Sequence, residues 1–318
     1  MRLFFKRLLQ LAVVFVVVTF FTVLLISLVP GKPEVVVIPF DNPEQTLRTQ
    51  FREENHLDRA LPVQWAYWAK NFVQGDFGNE YTSTGTRPVS DSLWPKLRVS
   101  ALLILYVQIF SLAVAIPLAV TAAYRSGGLL DKLLNGSAFG CLSLPAFAVA
   151  LVLSYWLGVK LNWVPAQGYT APGDGITDHF RSMVIPVLAL SLGQIAVYMR
   201  LLRSDLVATL QEDFILMAKS KGISNRRVLW RHALRPSSLT LLTVAGLSIG
   251  TLIGGALVVE YLLGIPGMGT FLGTAVFGRQ YVALQSGVAI IAILFVLMNF
   301  LIDWLYQVLD PRIRERTT

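Results

Sequence analysis

Residues 213–236 read DFILMAKSKGISNRRVLWRHALRP, with six Lys or Arg and one Asp in 24 positions, inside the apolar second half of the chain. Each basic residue at the centre of a hydrocarbon layer costs roughly 2.5–3.5 kcal/mol on an insertion scale, so this stretch belongs in water. Its flanks do not. Runs without Asp, Glu, Lys or Arg cover Leu8–Val29, Val99–Tyr124, Leu133–Val159, Ser182–Met199, Pro236–Val259 and Gln280–Ile302. A bilayer core takes about 20 helical residues; five runs reach that length and the fourth has 18. The 318 residues are 54% hydrophobic and only 14% charged, where a soluble domain is about 25% charged. The pattern predicts an all-α polytopic membrane protein with six transmembrane helices.

The N-terminus offers a rival reading. Arg2, Lys6 and Arg7 ahead of an apolar run resemble a secretory signal. The run is 22 residues, too long for that, and Ser27-Leu28-Val29-Pro30 is not a small-x-small cleavage site. It reads as a retained first span. Orientation follows from Lys and Arg in short loops. With the N-terminus inside, the inner segments carry 16 basic residues against 3 in the short outer loops. The long segment 30–98 has eight basic and nine acidic residues and weighs little. Both termini are then cytoplasmic, and the net charge of +8 is an orientation signal; no nucleic-acid partner is expected. The organisation expected is a first helix with an extracytoplasmic segment over 1–96, then a five-helix core over 97–318 with a cytoplasmic loop at about 204–235 between the fourth and fifth spans.

Catalytic signatures are missing. Cys141 is the one cysteine, and His56, His179 and His232 fall far apart, in different loops on this reading. There is no HExxH, no nucleophile elbow and no G-x-x-x-x-G-K-[ST] phosphate loop. No catalytic residue, metal site or cofactor is expected on this chain.

The outer segments carry their own patterns. Glu34–Phe40 suggests a short strand. Trp65, Trp68 and Phe72 share a helical face, compatible with a helix along the outer interface or with a stripe packed on the spans. Gly246, Gly250 and Gly254 recur every four residues, which lets another backbone approach, either as ordinary packing or as a seam that shifts in gating. Gly264-Ile-Pro-Gly-Met-Gly269, with Pro266, Gly267 and Gly269, breaks the chain between two spans, as a surface turn or as a hairpin dipping into the membrane and acting as a gate. Glu260 and Asp303 are expected near span ends, within reach of water.

In Leu206–Lys221 the apolar residues Leu206, Leu210, Phe214 and Met217 fall on one helical face. Gly222 suits a C-cap and Ser224 an N-cap for a second helix. Two short helices joined by a glycine elbow form a shape that fits a groove on a soluble partner, or an amphipathic pair lying on anionic lipid.

The stretch resembles the cytoplasmic coupling ("EAA") loop of binding-protein-dependent ABC importer permeases, in the peptide/nickel group (oligopeptide and dipeptide permeases, B-type). That loop reads close to D-[FY]-[IV]-R-T-A-R-A-K-G-L. The match is at Asp213, Phe214, Ile215, Ala218, Lys221 and Gly222, with departures at Leu216, Met217, Lys219 and Ser220 that bear on which ATPase docks. Val228–Arg235 is similar to the V-L-x-[RK]-H-[AV]-L-[RK] that follows. Gly75–Gly78 with Pro88-Val89, Pro266–Gly269, and Asp303–Tyr306 with Leu309–Arg314 resemble further markers of the group, in the same order.

The resemblance implies a permease of the cell inner membrane, most simply for peptides, with nickel chelates or another small solute as the alternative cargo. It implies a second homologous permease, two cytoplasmic ABC ATPase subunits that hold ATP and Mg, and an extracytoplasmic substrate-binding protein. It assigns ATPase coupling to Asp213, Phe214, Met217, Ala218, Lys221, Gly222, Ile223 and Ser224. An ATP-independent secondary transporter, or a membrane anchor for a signalling complex, are the other classes the residues allow.

Overall fold

A computed structural model describes residues 2–28, 52, 56–82 and 85–309. The strand expected over Glu34–Phe40 and the last motif from residue 310 on lie outside the described residues. The elements are α1 (Arg2–Leu28), α2 (Leu61–Val73), the hairpin strands β1 (Asn79–Thr82) and β2 (Gly85–Pro88), α3 (Val89–Tyr124), α4 (Leu129–Ser143) and α5 (Ala146–Leu153). They continue with α6 (Ile176–Thr209), α7 (Asp213–Ser220), α8 (Asn225–Arg227), α9 (Leu234–Leu263), α10 (Met268–Phe277) and α11 (Tyr281–Leu309). π-helical turns over Ser154–Lys160 and Val228–Ala233 extend α5 and join α8 to α9.

Five of the six apolar runs form helices long and apolar enough to cross a membrane. The third does not form one rod. Leu129–Ser143 and Ala146–Lys160 meet at 97°. The break has a local cause: Pro145 disfavours the α conformation for the residue before it, and Leu144 and Pro145 are both extended, at ψ 122° and 135°. The chain is thus an all-α polytopic membrane protein with five helices long enough to span and one sharply bent pair, a broken span or a re-entrant loop.

The chain divides into two compact units. One holds the residues up to Ser100 with Pro266–Leu297. Here the Trp65, Trp68 and Phe72 face of α2 is packed on the spans. Trp65 Nε1 donates to Thr19 Oγ1 on α1 at 2.9 Å, and Trp68 Nε1 to Ser286 Oγ on α11 at 3.2 Å. Phe72 is buried against Phe15 and Phe77, at 5.4 and 5.1 Å between ring centroids. Indole N–H groups taken out of water need acceptors, and the two spans supply them. The motif Gly264–Gly269 opens a helical hairpin: α10 starts at Met268, whose N–H donates to Ser100 Oγ at 2.8 Å. Gly287 on α11 faces α10 so closely that a Cβ there would sit 2.7 Å from the Phe271 ring.

The second unit holds Ala101–Ile265 and the residues from Met298 on. Its core joins small residues of α3 (Ala115, Ala119, Ala123) to α6 (Tyr198, Leu202, Leu206) and α9 (Leu241, Ala245). Where α4 begins, the buried Asp131 accepts from Arg203 on α6 twice, Nε to Oδ1 and Nη2 to Oδ2, the latter at 2.5 Å. It also accepts the Gly127 N–H and Asn135 Nδ2, each at 2.8 Å. This clamp fixes the foot of α4 to α6, the helix that leads into the basic stretch.

Removing one partner of a buried ion pair leaves an uncompensated charge and costs about 3–5 kcal/mol. Asp131→Ala is expected to lower the thermal unfolding midpoint of the purified chain accordingly, and Arg203→Lys to recover only part of it, because Lys lacks the planar fork. Gly287→Leu overpacks α10 against α11 and is expected to cost about 1–3 kcal/mol, read in the same melt.

Candidate functional site

The basic stretch folds as an arm. α6 ends at Thr209, the chain turns over Leu210–Glu212, and α7 begins at Asp213. The single helix expected over Leu206–Lys221 is therefore broken. Glu212 is extended, at ψ 148°, which rotates α7 away from the line of α6. The face expected to unite Leu206, Leu210, Phe214 and Met217 is split: Leu206 is buried in the core, whereas Phe214 and Met217 are 46% and 58% exposed. The inward face of α7 is Ile215 with Ala218, both within the core cluster.

The end of α7 explains Gly222. Its N–H donates to Lys219 O at 2.9 Å, and the Ile223 N–H reaches back to Ala218 O at 3.3 Å. This pair of bonds is the Schellman motif, which needs a left-handed residue at the first position past the cap; Gly222 has φ +77°. Ile223 then packs on the same cluster as Ala218. Ser224 is extended at the N-cap position of α8, but its side chain makes no capping bond. The second arm helix is also not a separate element. α8, the π-helical turn and α9 run on from Asn225 to Leu263, so the arm passes directly into the fifth span. Val228, Leu229 and Ala233 bury the inner side of that passage.

What remains outside has a definite chemistry. Asp213, Lys219 and Lys221 on α7 and its cap are exposed, as are Arg226, Arg227, Arg231 and Arg235 beyond them. Among them stand the exposed apolar side chains Phe214, Leu216 and Met217. Leu216 was not singled out in the sequence except as a departure, yet it shares this outer surface. The arm is held from within and offers apolar anchors ringed by cations.

The glycine series does not form one seam in this chain. A Cβ on Gly246 would strike Ile302 at 2.7 Å, Gly250 is buried, and Gly254 is exposed with nothing within 4 Å. Beyond α9, Gly264 ends the helix in the left-handed conformation, at φ +66°. Pro266 is exposed, and Gly267 and Gly269 are buried at the start of α10.

Several polar groups were missed or misplaced by the sequence. Gln108 on α3, Tyr198 on α6 and Ser248 on α9 form a hydrogen-bonded node inside the second unit. Tyr198 Oη donates to Gln108 Oε1 at 2.8 Å and also contacts Ser248 Oγ, while Gln108 Nε2 donates to Ala245 O. Isolated Gln and Tyr in apolar runs give no signal of their own; only the fold brings them together. His179, expected in a loop, is fully buried in the first turn of α6. Its Nδ1 donates to Thr170 O at 2.7 Å and its Nε2 lies 3.1 Å from Tyr106 Oη. Tyr169, whose ring touches His179, has its hydroxyl pushed above the ordinary phenol range by burial. Glu260, expected near water, is fully buried; the side chain of Asp303 lies outside the described residues. Among the described residues no group of three or more His, Cys, Asp or Glu could hold a metal ion.

Residues 115–315 match the family described as binding-protein-dependent transport system inner membrane component. Full-length relatives agree. A probable peptide ABC transporter permease protein of Sinorhizobium fredii is 35% identical over 97% of this chain and 98% of its own length. The oligopeptide transport system permease protein AppB of Bacillus subtilis is 33% identical over 93% and 94%. The dipeptide transport system permease protein DppB of Alkalihalophilus pseudofirmus is 28% identical over 97% and 98%. An arm that leaves the spans to present anchored apolar residues to the water phase, on a chain that matches this family over most of its length, makes the protein a member of the binding-protein-dependent transport system inner membrane components, a multi-pass membrane permease.

Proposed function

We propose that this chain is the permease subunit of an ATP-driven peptide importer. It forms the translocation path with a second homologous permease, receives peptide from an extracytoplasmic binding protein, and is driven by two cytoplasmic ATPase subunits. The names of the relatives, which are peptide, dipeptide and oligopeptide permeases, support peptide as cargo. The observation that carries the coupling mechanism is the two-sided arm: Ile215 and Ala218 buried inward, Phe214, Leu216 and Met217 exposed outward.

The mechanism follows from that geometry. α7 enters a groove of the ATPase as an amphipathic helix enters a partner, with its apolar side chains as anchors. Asp213 in the first turn of α7 complements the helix dipole. Gly222 turns the chain back, and Ala218, Lys221, Ile223 and Ser224 shape the return into the fifth span. α8 and α9 are continuous from Asn225, and α7, beyond the Gly222 elbow, is tied to them through Ile215 and Ala218 packed in one cluster with Val228, Leu229 and Ala233, so a displacement of α7 reaches the spans through that packing. ATP, with its Mg, binds on the ATPases and favours one arrangement of the pair; only that difference in affinity between global states can move the permease.

Three outcomes test this. Phe214→Ala with Met217→Ala is expected to lower ATPase co-purification at least about tenfold, the loss of one or two interface anchors, while the melt of the chain stays within about 0.5 kcal/mol, as for exposed sites. Retention of the ATPases would remove the docking role. Gly222→Val places a branched side chain in the left-handed region at a cost of roughly 1–2 kcal/mol; transport is expected to fall more with Val than with Asn, which tolerates that region. Proteoliposomes holding the assembled complex and binding protein are expected to take up labelled peptide only with ATP inside the ATPase-facing compartment. Uptake without ATP would point to a secondary transporter.

A further inference from the structure

A cavity of about 230 Å³ lies within the first unit, between the C-terminal end of α1, one face of α2, the hairpin and the start of α11. On the orientation read from charge, it is on the extracytoplasmic side. Three features of its wall point to a ligand. First, Asp76 is the one Asp, Glu, Lys or Arg among the described lining residues, and its Oδ1 accepts the Gly78 N–H at 2.9 Å. Second, aromatic side chains stand in the wall: Tyr67, Trp68 and Tyr281 are among the lining residues, with His56 against the Tyr67 ring at 3.9 Å between centroids, and electron-rich rings attract cations. Third, the wall includes two donors without an acceptor among the described residues. Gln285, only 7% exposed, has no partner for Nε2, and Tyr281 Oη, four residues earlier on the same helical face, has none either. A buried donor left unmade costs free energy that a ligand acceptor recovers.

A carboxylate with aromatic neighbours calls for an ammonium, and paired neutral donors call for a carbonyl. These two groups stand side by side at the amino terminus of a peptide. We propose that this cavity is a subsite for the amino-terminal residue of a peptide: its ammonium at Asp76 against the rings, its first carbonyl accepting from Gln285 Nε2 and Tyr281 Oη. Among the described residues the lining holds no Lys or Arg, the groups that a phosphate-bearing ligand calls for. The proposal rests on the peptide-import reading and adds a contact on the permease itself.

The test uses the assembled complex without its binding protein, in phosphatidylcholine nanodiscs, whose lipid carries no primary amine. Labelled tri-alanine is titrated against it. Saturable binding is expected, weakened at least about tenfold by acetylating the peptide amino group, by Asp76→Asn or by Gln285→Leu. Asp76 is exposed and its neutral variant keeps the Gly78 contact, so that arm does not depend on refolding. No saturable binding, binding indifferent to acetylation and to Asp76→Asn, or competition by phosphoethanolamine but not by tri-alanine would each overturn the subsite. If peptide uptake with the binding protein persists while the subsite fails, the importer reading stands. If uptake itself fails in the wild type, that reading is the one at fault.

Discussion

Everything in this chain is arranged around backbone polar groups that cannot be left bare in hydrocarbon, where each orphan costs several kcal/mol. The consequence is a chain of long helices, and the breaks around α10 show how an interruption is provided for. After Gly264 the Ile265 N–H returns to Glu260 O at 2.9 Å, and at the start of α10 Met268 finds Ser100 Oγ. Before α11, Gln280 N–H returns to Ala275 O at 2.8 Å. Gly222 obeys the same rule through its Schellman pair, but in the basic arm, where the charge density keeps the chain in water. The break at Gly222 is therefore not forced by packing. A Cβ there would meet nothing within 4 Å; only the backbone conformation demands glycine, and that conformation serves to turn the arm back on itself.

An arm that is to transmit force must be stiff on one side and sticky on the other. Stiffness comes from burial: Ile215, Ala218, Val228, Leu229 and Ala233 are part of the same cluster as Leu202 and Leu206 of α6 and Leu241 and Ala245 of α9. Stickiness comes from what that burial leaves outside. Phe214, Leu216 and Met217 exposed together are costly on a free surface only in the sense that nothing yet covers them, and an apolar patch rimmed by charge is the ordinary mark of a protein contact. Lipid headgroups would accept the cations equally well. They would not explain why the helix is so short, eight residues ended by a tight cap, where a surface-lying helix gains from length.

How much of this the sequence discloses depends on the range of the interaction. Hydropathy runs report transfer free energy summed over some 20 residues, and five of the six runs became helices long enough to span. The glycine elbow was legible because left-handed φ is a local demand of one residue. The 97° bend at Leu144–Pro145 was overlooked although Pro145 stands in the run; the absence of charge across Leu133–Val159 outweighed a local breaker. The α7 register failed for the opposite reason. Leu206, Leu210, Phe214 and Met217 keep helical spacing, yet three turn residues shift the phase, so Ile215 and Ala218 took the inner face. The Gln108–Tyr198–Ser248 node and the Tyr106 contact of His179 were invisible because the partners are 50 to 90 residues apart in sequence. The α2 stripe was ambiguous until Thr19 and Ser286 were seen to accept its indoles.

The strengths of these contacts rank the parts by how they can move. Polar contacts between helices in a membrane average about 0.6 kcal/mol each, so the node of Gln108, Tyr198 and Ser248 holds α3, α6 and α9 with roughly 2 kcal/mol. Allosteric coupling energies fall in the same range, about 1–3 kcal/mol. The node can therefore be made in one global state and broken in another within what a coupled cycle supplies. The Asp131–Arg203 clamp cannot, since parting it leaves buried charge at about 3–5 kcal/mol. α4 and α6 consequently travel as one body at their clamped ends, while α9, continuous with α8 from Asn225 and packed in one cluster with Ile215 and Ala218 of α7, receives a displacement of the arm through that packing.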